Sequence, residues 1–413
     1  MIFKVIRIAY FIFLASLVGC SSLTPFLTTP TAVSVPQTTA TLEPTPIVTQ
    51  TNLPTVAEVR TLRIWLPPRF DPNAGTDSAK LLKQRLTDFA ASHPRITIEV
   101  RIKAETGDTG LLDSLSITNV AASKALPDLI ALSRPDLEAA VLKGLVHPID
   151  GLSTILDDPN WYPYARELGH IQNIGYGLPF AGDALVMIHR SGPQVNTWDE
   201  FLGSKELLVF PAGDPQSLTM LSLYLSAGGK LVNDKGVLTL EEEPLTQAFT
   251  LIQKAVEAKV LLPALVNYET GAQSFQAYHD GRATLAIGWA TDGRNNTDAI
   301  EAVPGLNNTP YTFATGWVWA LAGSDPEVQQ VSTELAEDLI ADDFVNSWLK
   351  DSGYLPTRLP QNADMNTILQ AAHVIPADEE LTVLGPIMRQ ALTRLLNGDQ
   401  VDPVVRSVMD QFK

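Results

Sequence analysis

The stretch TLRIWLPPRFDPNAGTDSAKLLKQRLTDFAASHPRITIEVRI, Thr61 to Ile102, changes its hydrophobic period twice, and those changes decide the fold. From Thr61 to Leu66 apolar and polar residues alternate, as in a strand, until Pro67-Pro68 cuts the alternation off. From Ser78 to Ser92 the spacing becomes helical: Leu82, Leu86 and Phe89 share one face, and Pro94 is the stop. Ile96, Ile98, Val100 and Ile102 then alternate strictly with polar partners, which predicts a second strand. This is a β-α-β start.

The alternation continues. A helical stretch runs to Ser123, a short strand covers Leu129–Leu132, and a helix covers Pro135–Lys143. The pattern predicts an open, mainly parallel sheet with helices on both faces, in which ligands bind beyond the carboxyl ends of the strands. In the second half a strand is expected over Ala184–His189. Thr197 with Glu200, and Thr239 with Glu242, have the spacing of capping boxes that open helices. Further helices start at Pro326, with Asp325 as N-cap, and at Glu379. No sequence repeat is visible.

Composition bounds the function. Of 413 residues 45% are hydrophobic and 18% charged, enough apolar material for real cores and, at this length, better suited to two lobes than to one. The 29 basic residues face 46 acidic ones, a net charge of −17, and no local basic patch offsets it. Nucleic acid is therefore not an expected partner.

The first nineteen residues are different material. Lys4 and Arg7 precede an apolar run from Ile8 to Val18, too short for a bilayer core that needs about 20 residues. The order of charged, apolar and small residues is that of an export signal. Its end, Leu17-Val18-Gly19-Cys20, resembles the bacterial lipobox, which implies cleavage before Cys20 and lipidation of that thiol, the only cysteine in the chain. Losing residues 1–19 as a lipoprotein signal peptide would leave 27 basic against 46 acidic residues, or −19. Residues 20–59 would form a Thr/Pro-rich linker, with Pro25, Pro30, Pro36, Pro44, Pro46 and Pro54 keeping it extended. The expected location is the extracytoplasmic face of the cell membrane, held by the lipid.

From residue 61 to 413 the motifs resemble, in their order, the extracellular solute-binding proteins of bacterial ABC importers, in particular the sugar-type family 1 that includes the maltose-binding protein. The resemblance rests on LRIWLPP with FAASHPRITIEV, on LPDLIALSRPDLEAAVLKGLVHPIDGL, on YGLPFAGDALVMIHR followed by TWDEF, on FQAYHDGRATLAIGWATD, and on TGWVWALAGSDPEVQQVSTELAEDLI ending in SGYLPTR. It implies an α/β, two-lobed periplasmic-binding-protein-like fold of type II, its lobes joined by hinge strands. Lobe 1 would take residues 60–181 with 316–358, and lobe 2 residues 182–315 with 359–413. GYGLPFAGD and NTPYTFATGW, poor in helix formers, are the candidate crossings. The implied partners are a small solute, most simply a mono- or oligosaccharide, and the transmembrane subunits of an ABC permease, with the protein acting as a monomer.

A flat indole can lie on the C–H face of a sugar while carboxylates and amides bond its hydroxyls. Trp289, at the end of ATLAIGW, and Trp317, expected to start the returning strand, are the foremost candidates; Trp65, at the end of the first strand, is a third. Trp198, Trp348, Trp319 and Trp161 read as packing residues. Asp183, Asp292, Arg69 and Arg294 are the polar candidates, the arginines able to serve a sugar or an anionic group. Near the C-terminal helix the maltose-binding pattern carries aromatics, whereas this chain has Leu384-Gly385-Pro386. The ligand class therefore stays open at this point.

No GxxxxGK(S/T), G-x-S-x-G or H-E-x-x-H occurs, and the GYG at residues 175–177 is followed by Leu-Pro-Phe instead of x-x-Gly. No enzyme activity, metal or cofactor is expected. Paired carboxylates of a secreted glycoside hydrolase remain an alternative, since such a pair meets only in the fold. So does a surface sensor or adhesin built on the same clamp.

Overall fold

The alternating segments at residues 60–102 form the expected unit. Strand β1 (Arg60–Leu66) pairs in parallel with β2 (Ile96–Ile102), Ile64 lying opposite Val100. Helix α1 (Asp77–Ser92) crosses between them, with Thr76 Oγ1 accepting from Ala79 N at 3.1 Å and Leu82, Leu86 and Phe89 buried. Strand β3 (Leu129–Ser133) adds to the other edge of β1, also parallel. Helix α2 (Leu111–Ala121) precedes it and α3 (Arg134–Leu142), capped by Ser133, follows it.

The computed structural model describes residues 59–189, 197–293, 298–306, 309–350, 352–359 and 365–412. They belong to one compact unit, Ala57–Lys413. The expected leader, Cys20, the linker up to residue 58 and Arg294 lie outside the described residues. Among the described residues no helix is long and apolar enough to cross a membrane.

After α4 (Pro163–Gly169) and the small hairpin of β4 (His170–Ile171) and β5 (Ile174–Gly175), the chain enters β6, which runs unbroken from Gly177 to His189. A crossing segment at residues 175–183 followed by a separate strand from Ala184 was expected; the two are one strand. Pro179 sits inside it without a backbone N–H to donate. A register shift between Trp317 and Val318 on the partner strand accommodates it.

Elements of the second half complete the sheet. Helix α5 (Trp198–Ser204) opens on the expected box, Glu200 N donating to Thr197 Oγ1 at 3.2 Å and Thr197 N to Glu200 Oε2 at 3.3 Å. Then come β7 (Leu208–Val209), α6 (Leu218–Ser226), α7 (Glu242–Glu257), α8 (Gly271–His279), β8 (Leu285–Trp289), β9 (Ala299–Ala302) and β10 (Thr312–Leu321). Thr239 caps nothing: its N–H bonds Leu231 O at 2.8 Å, and α7 starts at Glu242. A helix opened at Thr239 would place Pro244 past its first turn and lose a hydrogen bond there; starting at Glu242 keeps Pro244 where no donor is needed.

The C-terminal part is helical apart from β11 (Ala372–Val374): α9 (Pro326–Leu339), α10 (Asp342–Trp348), α11 (Asn366–Gln370), α12 (Asp378–Leu396) and α13 (Val401–Met409). Asp325 caps α9 as expected, accepting from Glu327 N at 3.0 Å.

The resulting sheet has the order β2-β1-β3-β10-β6-β8-β7, with β11 on β10 and β9 on β6. It is mixed and not mainly parallel: β10 runs antiparallel to both β3 and β6, and β6 antiparallel to β8 and β9. Strand β6 changes partners along its length. Gly177–Ala184 pairs with β10, and Leu185–His189 pairs with β8.

An aromatic cluster locks the crossing from one side. Phe180 of β6 stacks on Trp319 of β10 at 4.6 Å and on Trp348 at 5.4 Å, and Phe70 stands edge-on to Phe180 at 5.1 Å. Gly182 exchanges backbone hydrogen bonds with Leu355, at 3.0 and 2.7 Å. A Cβ on Gly182 would collide with the Tyr164 hydroxyl and stand 2.9 Å from Leu355 O. Both obstacles are anchored, since Tyr164 Oη donates to Pro356 O at 2.8 Å. Gly182→Ala is therefore expected to cost roughly 1–3 kcal/mol by overpacking, measured as a lowered urea midpoint at unchanged slope.

Candidate functional site

At the carboxyl end of β1 the Pro67-Pro68 pair turns the chain into a single 3₁₀ turn, Pro68–Phe70, which aims Arg69 across the ends of the strands. Its Nε and Nη2 donate to the two oxygens of Glu105 at 2.5 and 2.6 Å, a bidentate pair. Glu105 lies just beyond the carboxyl end of β2, so two parallel neighbours each supply one half of the ion pair. Nη1 donates to Tyr354 Oη at 2.6 Å. The guanidinium carbon stands 5.5 Å from the Trp317 ring centroid, and Phe70 meets the same indole edge-on at 5.6 Å. Burial pushes the Tyr354 phenol up to about 12 although Arg69 pulls the other way, so the group stays neutral and can both donate and accept.

A second group gathers where β6 changes partners. Asp183 is 7% exposed. Its carboxylate accepts from Thr291 Oγ1 at 2.5 Å and from Ala184 N at 2.9 Å. Burial pushes its pKa up to about 7, with the neighbouring Asp292 charge adding to the rise against the pull of the Thr291 hydrogen bond. Thr291 belongs to the turn after β8, which is tied to the crossing strand by Ala290 N donating to Ala184 O at 3.0 Å. In that turn Trp289 N donates to Asp292 Oδ2 at 2.9 Å, and Asp292 N donates back to Trp289 O at 2.9 Å. Burial also raises the Asp292 pKa.

The two groups adjoin each other. Gly353 packs against the backbone of Ala290 and Thr291, and the Asp183 charge is felt at Tyr354. The structure thus collects Arg69, Trp317, Asp183, Trp289 and Asp292 of the sequence-derived candidates. Trp289 is half-buried, the last residue of β8, and Trp317 is 7% exposed. Trp317 lies in the middle of β10 instead of at its start, because the strand begins five residues earlier at Thr312.

Trp65 stands apart. It is 1% exposed, packed in the core, with the Lys103 ammonium 4.8 Å over its ring. Trp161, Trp198, Trp319 and Trp348 are buried as expected; Trp161 donates from Nε1 to Ile155 O at 2.7 Å, and Trp198 from Nε1 to Pro304 O at 2.7 Å. Three members of the site were not singled out from the sequence: Glu105, Tyr354 and Thr291. The rule that ligands bind beyond strand carboxyl ends would have reached Glu105 past β2 and Thr291 past β8. Tyr354 sits within SGYLPTR, a motif that by itself signals only a turn.

Comparison with known proteins places this geometry. The family described as bacterial extracellular solute-binding protein matches residues 84–372. Among solved structures, the sugar-binding protein MalE from the phytopathogen Xanthomonas citri is similar at 16% identity over 85% of this chain and 96% of that one, TM-score 0.65. A cyclic alpha-maltosyl-1,6-maltose binding protein from Arthrobacter globiformis shares 14% identity over 85% and 97%, TM-score 0.67. An ABC transporter solute-binding protein from Thermotoga lettingae bound with alpha-D-tagatose shares 18% over 85% and 98%, TM-score 0.58. No curated protein matches the chain. At these identities the likeness shows the fold, which is the two-lobed periplasmic-binding-protein-like one.

The buried carboxyl gives a pH signature. In the unfolded chain Asp183 ionises above about pH 4. In the folded protein it holds its proton until about pH 7. The folded state therefore binds more protons between those limits, and stability falls as pH rises through them. Asp183→Asn keeps the hydrogen-bonding shape and removes that penalty. Its unfolding midpoint should exceed the wild type's at pH 8, the difference shrinking toward pH 4; a difference independent of pH would contradict the assignment.

Proposed function

The chain belongs to the bacterial extracellular solute-binding proteins, and we propose that it is the lipid-anchored solute-capturing subunit of an ABC importer for a carbohydrate. The observation that carries this reading is the gathering of the Trp317 indole with the hydrogen-bonding groups of Asp183, Thr291, Asp292, Tyr354 and Arg69 around one crossing, with Trp289 in the same turn as Asp292. Flat apolar faces beside hydroxyl-bonding groups suit a sugar, which presents C–H patches and hydroxyls together. The ligands named for the Arthrobacter and Thermotoga proteins are sugars too.

In this reading lobe 1 comprises residues 60–181 with 316–358, and lobe 2 residues 182–315 with 359–413. The division is supported by the change of pairing partners in β6 at Ala184 and Leu185. A solute touching both lobes favours the closed form by its differential affinity for it, and the closed, loaded protein is what a permease would receive. Removal of residues 1–19, lipidation of Cys20 and a spacer over residues 20–59 would hold a monomeric receptor at the outer face of the membrane.

The test is a thermal-unfolding screen against mono- and oligosaccharides, polyols, polyamines, amino acids and phosphate esters, since a solute that binds the native form raises the midpoint by mass action. One sugar class should raise it and be recovered chemically unchanged. With that sugar, Trp289→Ala is expected to weaken binding by at least about tenfold, as loss of a stacking face does, while the fold persists. Unchanged affinity would remove Trp289 from the site, and cleavage of the sugar would replace a receptor by a hydrolase.

A further inference from the structure

Among the described residues, Arg69 is the one cation in the group of side chains gathered at this site, and its bonding decides what charge the solute can carry. An arginine recognises a carboxylate or phosphate best through a pair of parallel N–H groups. One such edge of Arg69, Nε with Nη2, is already filled by both oxygens of Glu105. Nη1 is engaged by Tyr354, leaving one further hydrogen each on Nη1 and Nη2. On a guanidinium whose charge Glu105 already balances, these remaining donors suit a hydroxyl oxygen.

Carboxylates gather behind the pair. Asp136, at the start of α3, has its pKa raised by burial and further by the charges of Asp113, Asp378 and Glu105, so these carboxylates lie within electrostatic range of one another. An anion approaching Arg69 meets a neutralised ion pair with carboxylates behind it. An uncharged polyol meets the two remaining N–H groups, a phenol and the Trp317 ring.

We propose that Glu105 sets the charge class of the solute: by balancing the Arg69 charge in a bidentate ion pair it makes the site take a neutral sugar and reject the corresponding sugar acid. This rests on the reading of the site as the solute site. Glu105 is then a specificity-determining residue acting through Arg69. The substitution Glu105→Gln keeps a hydrogen bond to the guanidinium and uncovers one positive charge.

The experiment compares wild type and E105Q by calorimetric titration and thermal unfolding with matched probes: glucose and glucuronate, galactose and galacturonate, maltose and maltobionate. Wild type should bind the neutral member of one pair at least about tenfold tighter than the acid. E105Q should shift that ratio toward the acid by about tenfold or more, with the gain falling as salt is raised. The Glu105 side chain is 31% exposed, and circular dichroism reports whether the variant folds. Tyr354→Phe frees an N–H of Arg69 without changing charge, so it should produce no shift toward the acid.

Wild type binding the acid as tightly as the neutral sugar would overturn the proposal, as would a folded E105Q with an unchanged ratio; in both cases the sugar site itself stands. If E105Q does not fold, wild type and Tyr354→Phe decide by the same ratio. If wild type binds neither member of any pair, the carbohydrate reading falls and the proposal with it.

Discussion

Strand β6 hydrogen-bonds to β10 over Gly177–Ala184 and then, without leaving the extended conformation, to β8 over Leu185–His189. That single change of partner is the constraint on which the rest of the structure depends. It joins the parallel β2-β1-β3 unit to the antiparallel second part, and it puts Asp183 at the seam. The crossing must be tight, which is why Gly182 lies against Tyr164 and Leu355 with no room for a side chain. It must also be held in place, which Phe180, Trp319, Trp348 and Phe70 do by ring packing. The same cluster carries Phe70 to the edge of Trp317, so the packing of the crossing and the placement of Trp317 are one arrangement.

Around the seam the charges are arranged to cancel. Arg69 is matched by Glu105, and Asp183 is buried with Thr291 and Ala184 as donors. Groups satisfied in this way suit hydroxyls through directed hydrogen bonds while offering little net attraction to an ion. The net charge of −17 points the same way at long range, since it repels anions from the whole surface.

Local patterning made the first half of the fold legible, because each period belongs to one element: the β1, α1 and β2 boundaries follow from Ile64, Leu82, Phe89 and Ile98. The capping box at Thr197 was legible for the same reason, since its hydrogen bonds span only three residues. What escaped was set by distant partners. Residues 175–183 read as a crossing segment distinct from the strand at Ala184 because glycine and proline mark breaks, yet pairing with β10 made Gly177–His189 one strand. The box at Thr239 failed because Pro244 moved the helix start. The place of Trp289 at the end of β8 was legible from the alternation before it, whereas the place of Trp317 inside β10 and the burial of Trp65 depended on pairing and packing with distant strands. Glu105 and Tyr354 were not, because an ion pair between residues 36 positions apart, and a hydrogen bond over 285, leave no local pattern.

The central claim is that the crossing strands let two lobes close on a sugar. Small-angle X-ray scattering of the protein with and without the sugar that most raises its unfolding midpoint tests it directly. A smaller radius of gyration at saturation, with unchanged molecular mass, is the result the account predicts. A radius unaltered at saturating sugar would contradict it.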